Sequence, residues 1–178
     1  GKLTGYRKMA ERIVDLVSRK REAEGLSALP ASRTRTLPIS GGDVGGSAGF
    51  EAHVRRQTEA GIAAGLPADE AERIARRYGS NAPRLYELAG ESRDFAARHG
   101  LPLALAAEIR YAVEAEMAAT TADFWIRRTG RLYFDRPGVL RWKDAVSAAM
   151  AELLGWSAER REAYDRELER LLAEAIKP

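Results

Sequence analysis

PLALAAEIRYAVEAEMA, residues 102–118, sets Leu105, Ile109, Ala112, Val113 and Met117 at helical spacing. A half-buried strand would instead alternate apolar and polar residues. The same spacing returns downstream. Val139, Trp142, Val146, Ala149, Met150 and Leu153 recur over 139–154. Tyr164, Leu168, Leu171, Leu172 and Ile176 follow Ser157, which reads as an N-cap. Upstream, helices are expected over 50–64, over 68–78 closed by Gly79, over 81–89 with Pro83 in the first turn, and over 92–99. Thr120 or Thr121 caps a helix that runs to Arg128, and 131–134 reads as extended. There is no internal repeat and no low-complexity run. The pattern predicts a mainly α fold, a compact bundle of short helices over 50–178.

The first 49 residues differ. Met9, Ile13, Leu16 and Val17 predict a helix within 2–24, with Thr4 as N-cap and Gly25 as its stop. Pro30, Pro38, Gly41, Gly42, Gly45, Gly46 and Gly49 then exclude a helix over 25–49. A short extended segment fits 36–40, and the domain boundary is expected in this stretch. The chain opens on Gly1 inside what reads as a turn entering a helix, so we expect a piece of a longer polypeptide.

Composition narrows the class. Hydrophobic residues make up 45% of the 178, enough for a packed core, and alanine, leucine, glutamate and arginine favour helices. The 29 basic and 26 acidic residues are interspersed, and the net charge of +3 falls short of a nucleic-acid footprint. The absence of cysteine excludes disulfides, thiolate catalysis and zinc–thiolate sites, and agrees with a reducing cytoplasm. The longest apolar stretch, 101–107, contains Pro102 and is too short to span a bilayer. No charged-then-apolar signal pattern opens the chain.

Several local patterns invite chemistry. GGDVGGS, residues 41–47, has the outer spacing of a phosphate loop, but Gly46 replaces the lysine that would meet the terminal phosphates. It reads as a linker. His53 and His99 sit in charged, helix-like surroundings and are expected at the surface; with no cysteine they do not make a transition-metal site. Arg76 to Asn81 could form a helix–glycine–helix corner that presents amides and arginines to phosphate, so a stand-alone helical binding module for nucleic acid is a second reading. Glu114, Glu116, Thr120, Thr121, Asp123, Arg127, Arg128 and Thr129 are the densest polar group. Asp123 and Arg127 can pair along one face, one of the two arginines can turn toward Glu116, and the group reads as a charge network fixing a helix junction. Finally, residues 1–7 form a glycine turn opening a helix, where free amides, the helix dipole and Lys2 suit an anionic partner.

Four segments in order, GKLTGYRKMAE (1–11), LPISGG (37–42), RYGSN (77–81) and EIRYAVEAEM (108–117) continuing to DFWIRRTG (123–130), resemble the family of FAD-dependent glycerol-3-phosphate dehydrogenases and glycerophosphate oxidases. The resemblance implies a parent enzyme that oxidises sn-glycerol 3-phosphate to dihydroxyacetone phosphate, with FAD as cofactor. Electrons would pass to quinone or, in the oxidases, to oxygen. This chain would be the C-terminal part. Residues 1–24 would be the last turn and helix of the FAD-binding domain, 25–49 a Gly/Pro-rich linker and 50–178 the helical C-terminal domain. Lys2, Leu3 and Thr4 would lie at the flavin's pyrimidine edge. The dinucleotide-binding loop and the substrate-domain sheet are not in this sequence, so no catalytic residue is expected here and the chain would hold no FAD alone. Its partners would be the N-terminal FAD and substrate domains and, through them, substrate and quinone. The implied location is cytoplasmic, with peripheral contact at the cytoplasmic membrane face.

Overall fold

A computed structural model describes residues 4–176, and every regular element among them is helical. The chain divides into two compact units, one up to Asp43 and one from Val44 onward.

The first unit is built on α1 (Tyr6–Ala23). Its C-terminus is closed by Gly25, whose φ of +77° lies where a side chain would be strained. The Leu26 amide donates to Arg21 O at 2.9 Å and the Gly25 amide to Glu22 O at 3.0 Å, a pairing that satisfies the last carbonyls. Gly25 is thus the expected stop. Thr4 is not the N-cap: that position belongs to Gly5, which has no side chain to cap with, and Thr4 lies exposed in the preceding turn. Residues 36–40 form no strand. Thr36 and Leu37 amides both donate to Arg33 O at 3.1 Å, closing a turn over 34–36, and 37–39 follow without regular structure.

The second unit begins with α2 (Gly46–Ala63), four residues earlier than its apolar pattern suggests. Then follow α3 (Ala68–Tyr78), a 3-10 turn (Gly79–Asn81), α4 (Ala82–Glu91), α5 (Arg93–His99) and α6 (Leu103–Glu114). A π-helical turn (Asp123–Arg128) leads to α7 (Arg131–Phe134), α8 (Arg136–Leu154) and α9 (Ala158–Glu174). Asp135 caps α8 by accepting from Gly138 N, and Ser157 caps α9 by accepting from Arg160 N. Residues 131–134 are therefore a helical turn and not extended. Only Leu132 of the four is buried, because α7 is held between Gly130 and the Asp135 cap.

Two apolar cores form. Ile74, Leu85, Tyr86 and Leu88 centre the first, and Phe124, Trp125, Val146, Met150, Leu168 and Leu172 the second. Helix α6 serves both: Ala104, Ala107 and Tyr111 face one, and Leu105, Ile109 and Ala112 the other. Its burial is thus wider than the single stripe read from the sequence. Met117 is not part of that stripe. The helix ends at Glu114, the Ala118 amide turns back to Ala112 O at 2.8 Å, and Met117 is left 84% exposed at a φ of +56°.

α2 and α3 approach closely at Gly61. A Cβ there would stand 2.7 Å from the Ala71 Cβ and 2.9 Å from the Tyr86 ring. Gly61→Val is expected to lower stability by about 1–3 kcal/mol through overpacking, read by urea denaturation. An unchanged midpoint would mean that the two helices slide apart freely here.

Candidate functional site

The residues singled out for a cofactor lie at the start of the first unit. Lys2 and Leu3 fall outside the described residues, and Thr4 is exposed. Gly5 provides no side-chain cap and the first turn of α1 carries no acid, so neither a side-chain cap nor a carboxylate competes for the first amides of the helix. Behind them the helix presents Tyr6, Met9, Ile13, Leu16 and Val17, 45–64% exposed, and α1 buries none of its residues.

In the second unit the strongest polar constellation was missed by the sequence reading. Glu108, in the middle of α6, is completely buried. Its Oε1 accepts from Arg73 Nη1 at 2.8 Å and from the Tyr78 hydroxyl at 3.1 Å. Its Oε2 accepts from Arg73 Nη2 at 3.0 Å and from Arg131 Nη2 at 2.6 Å. Burial pushes the Glu108 carboxyl up, but the Arg131 and Arg73 guanidiniums outweigh it and hold the group below the usual carboxylate range. The Tyr78 phenol is pushed up by its own burial and then by the Glu108 charge. A signal for this cluster was present in the sequence. Glu108 stands three residues after Leu105 and four before Ala112, so it had to lie on a helix face that the apolar pattern marked as buried.

The predicted corner network is real, with its parts redistributed. Asp123 Oδ2 accepts from the amides of Ala119 and Thr120 at 3.0 Å, and Thr120 Oγ1 accepts from the Asp123 amide at 3.0 Å. Thr120 is therefore the cap, while Thr121 is buried with its hydroxyl unpartnered. Arg127 Nη1 donates to Asp123 Oδ1 at 2.6 Å, as expected from their spacing. Burial opposes the Asp123 charge, but the Ala119 amide and the Arg127 and Thr120 contacts leave its carboxyl below the ordinary value. Burial pushes the half-buried Glu116 carboxyl up, and the charges of Arg128 and Arg77 only partly offset this. The Arg128 side chain is exposed; its carbonyl accepts from Arg77 Nη2 at 2.8 Å.

Other expectations change. His53 is buried, 7% exposed, because it lies on the inner side of α2, and its Nε2 has no partner. His99 is largely covered and lies 2.7 Å from Glu152. At the 76–81 corner, Arg76 makes exposed ion pairs with Glu51 at 3.0 Å and Glu72 at 2.8 Å. Among the described residues no group of acids and histidines could hold a metal, and no helix is long and apolar enough to cross a membrane.

Beside the Glu108 cluster lies an open cleft of about 490 Å³, walled by Arg73, Arg77, Arg131, Phe134 and Trp142.

Residues 32–161 match the family model of the C-terminal domain of alpha-glycerophosphate oxidase. Over its whole length the chain is 45% identical to the aerobic glycerol-3-phosphate dehydrogenase of Bacillus subtilis, and covers 32% of that protein. It is 44% identical over 177 residues to the enzyme of the same name from Staphylococcus haemolyticus, covering 31% of it. The solved glycerol-3-phosphate dehydrogenase of Bacillus halodurans, complexed with FAD, superposes with a TM-score of 0.90 at 40% identity. That match takes in the entire chain and 35% of the solved one. The chain thus spans about a third of the length of these relatives.

Proposed function

Since the chain belongs to the family of the C-terminal domain of alpha-glycerophosphate oxidase, we propose that it works as the helical C-terminal part of an FAD-dependent glycerol-3-phosphate dehydrogenase. That enzyme oxidises sn-glycerol 3-phosphate to dihydroxyacetone phosphate. Bound FAD supplies the hydride acceptor. The onward acceptor is quinone, which brings the assembled enzyme to the cytoplasmic membrane face. The 178 residues alone carry no complete reaction centre.

The observation that supports this most is the bare apolar stripe of α1. A helix of 18 residues that buries nothing is not stable by propensity alone in water, because helical stability in proteins comes mainly from packing an apolar face. A flavin-binding body supplies the cover. In this reading residues 1–24 are the end of the flavin domain and the linker expected over 25–49 ends earlier, at Asp43, since the helical C-terminal unit begins at Val44 and its first helix at Gly46. Lys2, Leu3 and Thr4 then approach the flavin's pyrimidine edge. The uncapped first turn of α1 suits that role: its amides and the positive end of the helix dipole stabilise negative charge placed before them, and Lys2 adds a full positive charge. The Glu108 cluster is 73 to 131 in sequence and serves the fold of the second unit.

The test is a chimera in which this chain replaces the matching third of the Bacillus subtilis relative. We expect FAD retention and glycerol-3-phosphate-dependent dye reduction. We also expect Lys2→Ala in the chimera to lose flavin on gel filtration or to slow flavin reduction. A folded, FAD-loaded chimera without turnover would overturn the functional assignment. Normal flavin content and turnover in Lys2→Ala would overturn the role given to that residue.

A further inference from the structure

We propose that the cleft beside the Glu108 cluster is a binding site for a small aromatic anion, a ring carrying a phosphate or carboxylate group. Its size suits such a molecule, since small-ligand clefts generally start at about 300 Å³ and this one holds about 490 Å³.

The anion's partner is Arg77. This residue closes α3, is exposed, and lines the cleft. One N–H group, on Nη2, donates to the Arg128 carbonyl at 2.8 Å, and among the described residues no carboxylate stands within ion-pair distance of it. The other charges in the cleft are already committed. Arg73 is divided between Glu70 and Glu108, and Arg131 donates to Glu108. Glu70 accepts from Arg73 Nε at 2.9 Å, and Asp135 accepts from the Gly138 amide at 3.1 Å. The lining acids and bases nearly balance, so recognition rests on one guanidinium that makes no salt bridge, lying 5.7 Å over the Tyr78 ring and feeling Glu108 and Glu116 only at longer range, rather than on a broad positive field. Arginine's planar fork suits phosphate and carboxylate oxygens.

The ring's partners are Phe134 and Trp142. Phe134 is 90% exposed on the short helix α7, an unusual position for a phenylalanine whose neighbour Leu132 is buried. Trp142, half-buried on α8, lines the same cleft and carries Arg141 over its ring at 5.0 Å. Two aromatic faces beside an arginine that makes no direct salt bridge accept an offset-stacked ring with its anionic group turned toward Arg77.

Phenyl phosphate is the probe, added to the 178-residue chain and followed by calorimetry and tryptophan fluorescence. Inorganic phosphate and benzyl alcohol supply the anion and the ring separately. We expect phenyl phosphate to bind more tightly than either and to perturb the fluorescence, with the change lost in Trp142→Phe. Arg77→Gln, which keeps an N–H donor for the Arg128 carbonyl and removes the charge, should bind about tenfold more weakly with an unchanged melting curve. No binding to the folded chain would overturn the proposal. Equal binding by Arg77→Gln would place the probe elsewhere and overturn it as well. Inorganic phosphate binding as tightly as phenyl phosphate would remove the aromatic half of the site and with it the proposal as stated.

Discussion

Replacing Glu108 by alanine is expected to destabilise the chain by about 3–5 kcal/mol, the cost of leaving buried charges without their partner. The carboxylate is completely buried and receives four hydrogen bonds from Arg73, Arg131 and Tyr78. Its removal strands the Arg131 guanidinium, leaves Arg73 with Glu70 alone, and takes the acceptor from the buried Tyr78 hydroxyl. Glu108→Gln keeps the shape but offers an N–H where an acceptor is needed, so it should also destabilise. The decisive comparison is a double-mutant cycle with Arg131→Met, followed by urea denaturation at neutral pH. Strong coupling is expected, and additive losses would show that the two side chains do not act as a pair.

The same pair fixes a pH dependence. The folded carboxyl titrates below its unfolded value, so the folded state binds the proton less readily. Its contribution is complete above the unfolded carboxylate range, roughly pH 4 to 5, and is lost as pH falls through the lower folded value. Glu108→Gln should therefore lose less stability on acidification than the parent chain.

Trp125→Ala is the second large effect, about 3–5 kcal/mol. The indole is fully buried in the second core, carried on the π-helical turn among residues of α6 and α8. Its Nε1 is buried without a partner, so the N–H adds nothing that a phenyl ring lacks. Trp125→Phe should then cost much less than Trp125→Ala, by the usual gap between a reshaped core and an emptied one. Similar losses for both would mean that the indole N–H has a bonding role.

The helices were legible because apolar spacing survives in sequence wherever one face meets a core. Val139 to Leu153 and Leu168 to Leu172 were found that way, and so were the caps at Ser157 and Gly25. The misses have separate physical reasons. Residues 131–134 are too few to show a period, and their helical turn is set by Gly130 and by the Asp135 cap beyond it. Thr4 is chemically a good cap, but the helix starts one residue later. Met117 fits the α6 stripe by number, yet the chain turns at Ala115 and Glu116 before the stripe reaches it. His53 looked superficial beside charged neighbours, and the packing of α2 put it inside. Glu108 was passed over because its two arginine partners lie 35 and 23 residues away. A lone acid on a buried face implies such partners without naming them. The proposal that residues 2–4 face a flavin starts from the family resemblance, since amides at a helix start look alike in any sequence.

The position of α6 also governs how the second unit comes apart. One helix supplies wall to both apolar cores, and its central carboxylate ties α3 to α7 across it. Neither half can therefore loosen by local opening without uncovering the other's interior and breaking the same ion pairs. The two cores are expected to unfold as a single cooperative unit, with the amides of α6 exchanging only through global unfolding when followed by hydrogen exchange.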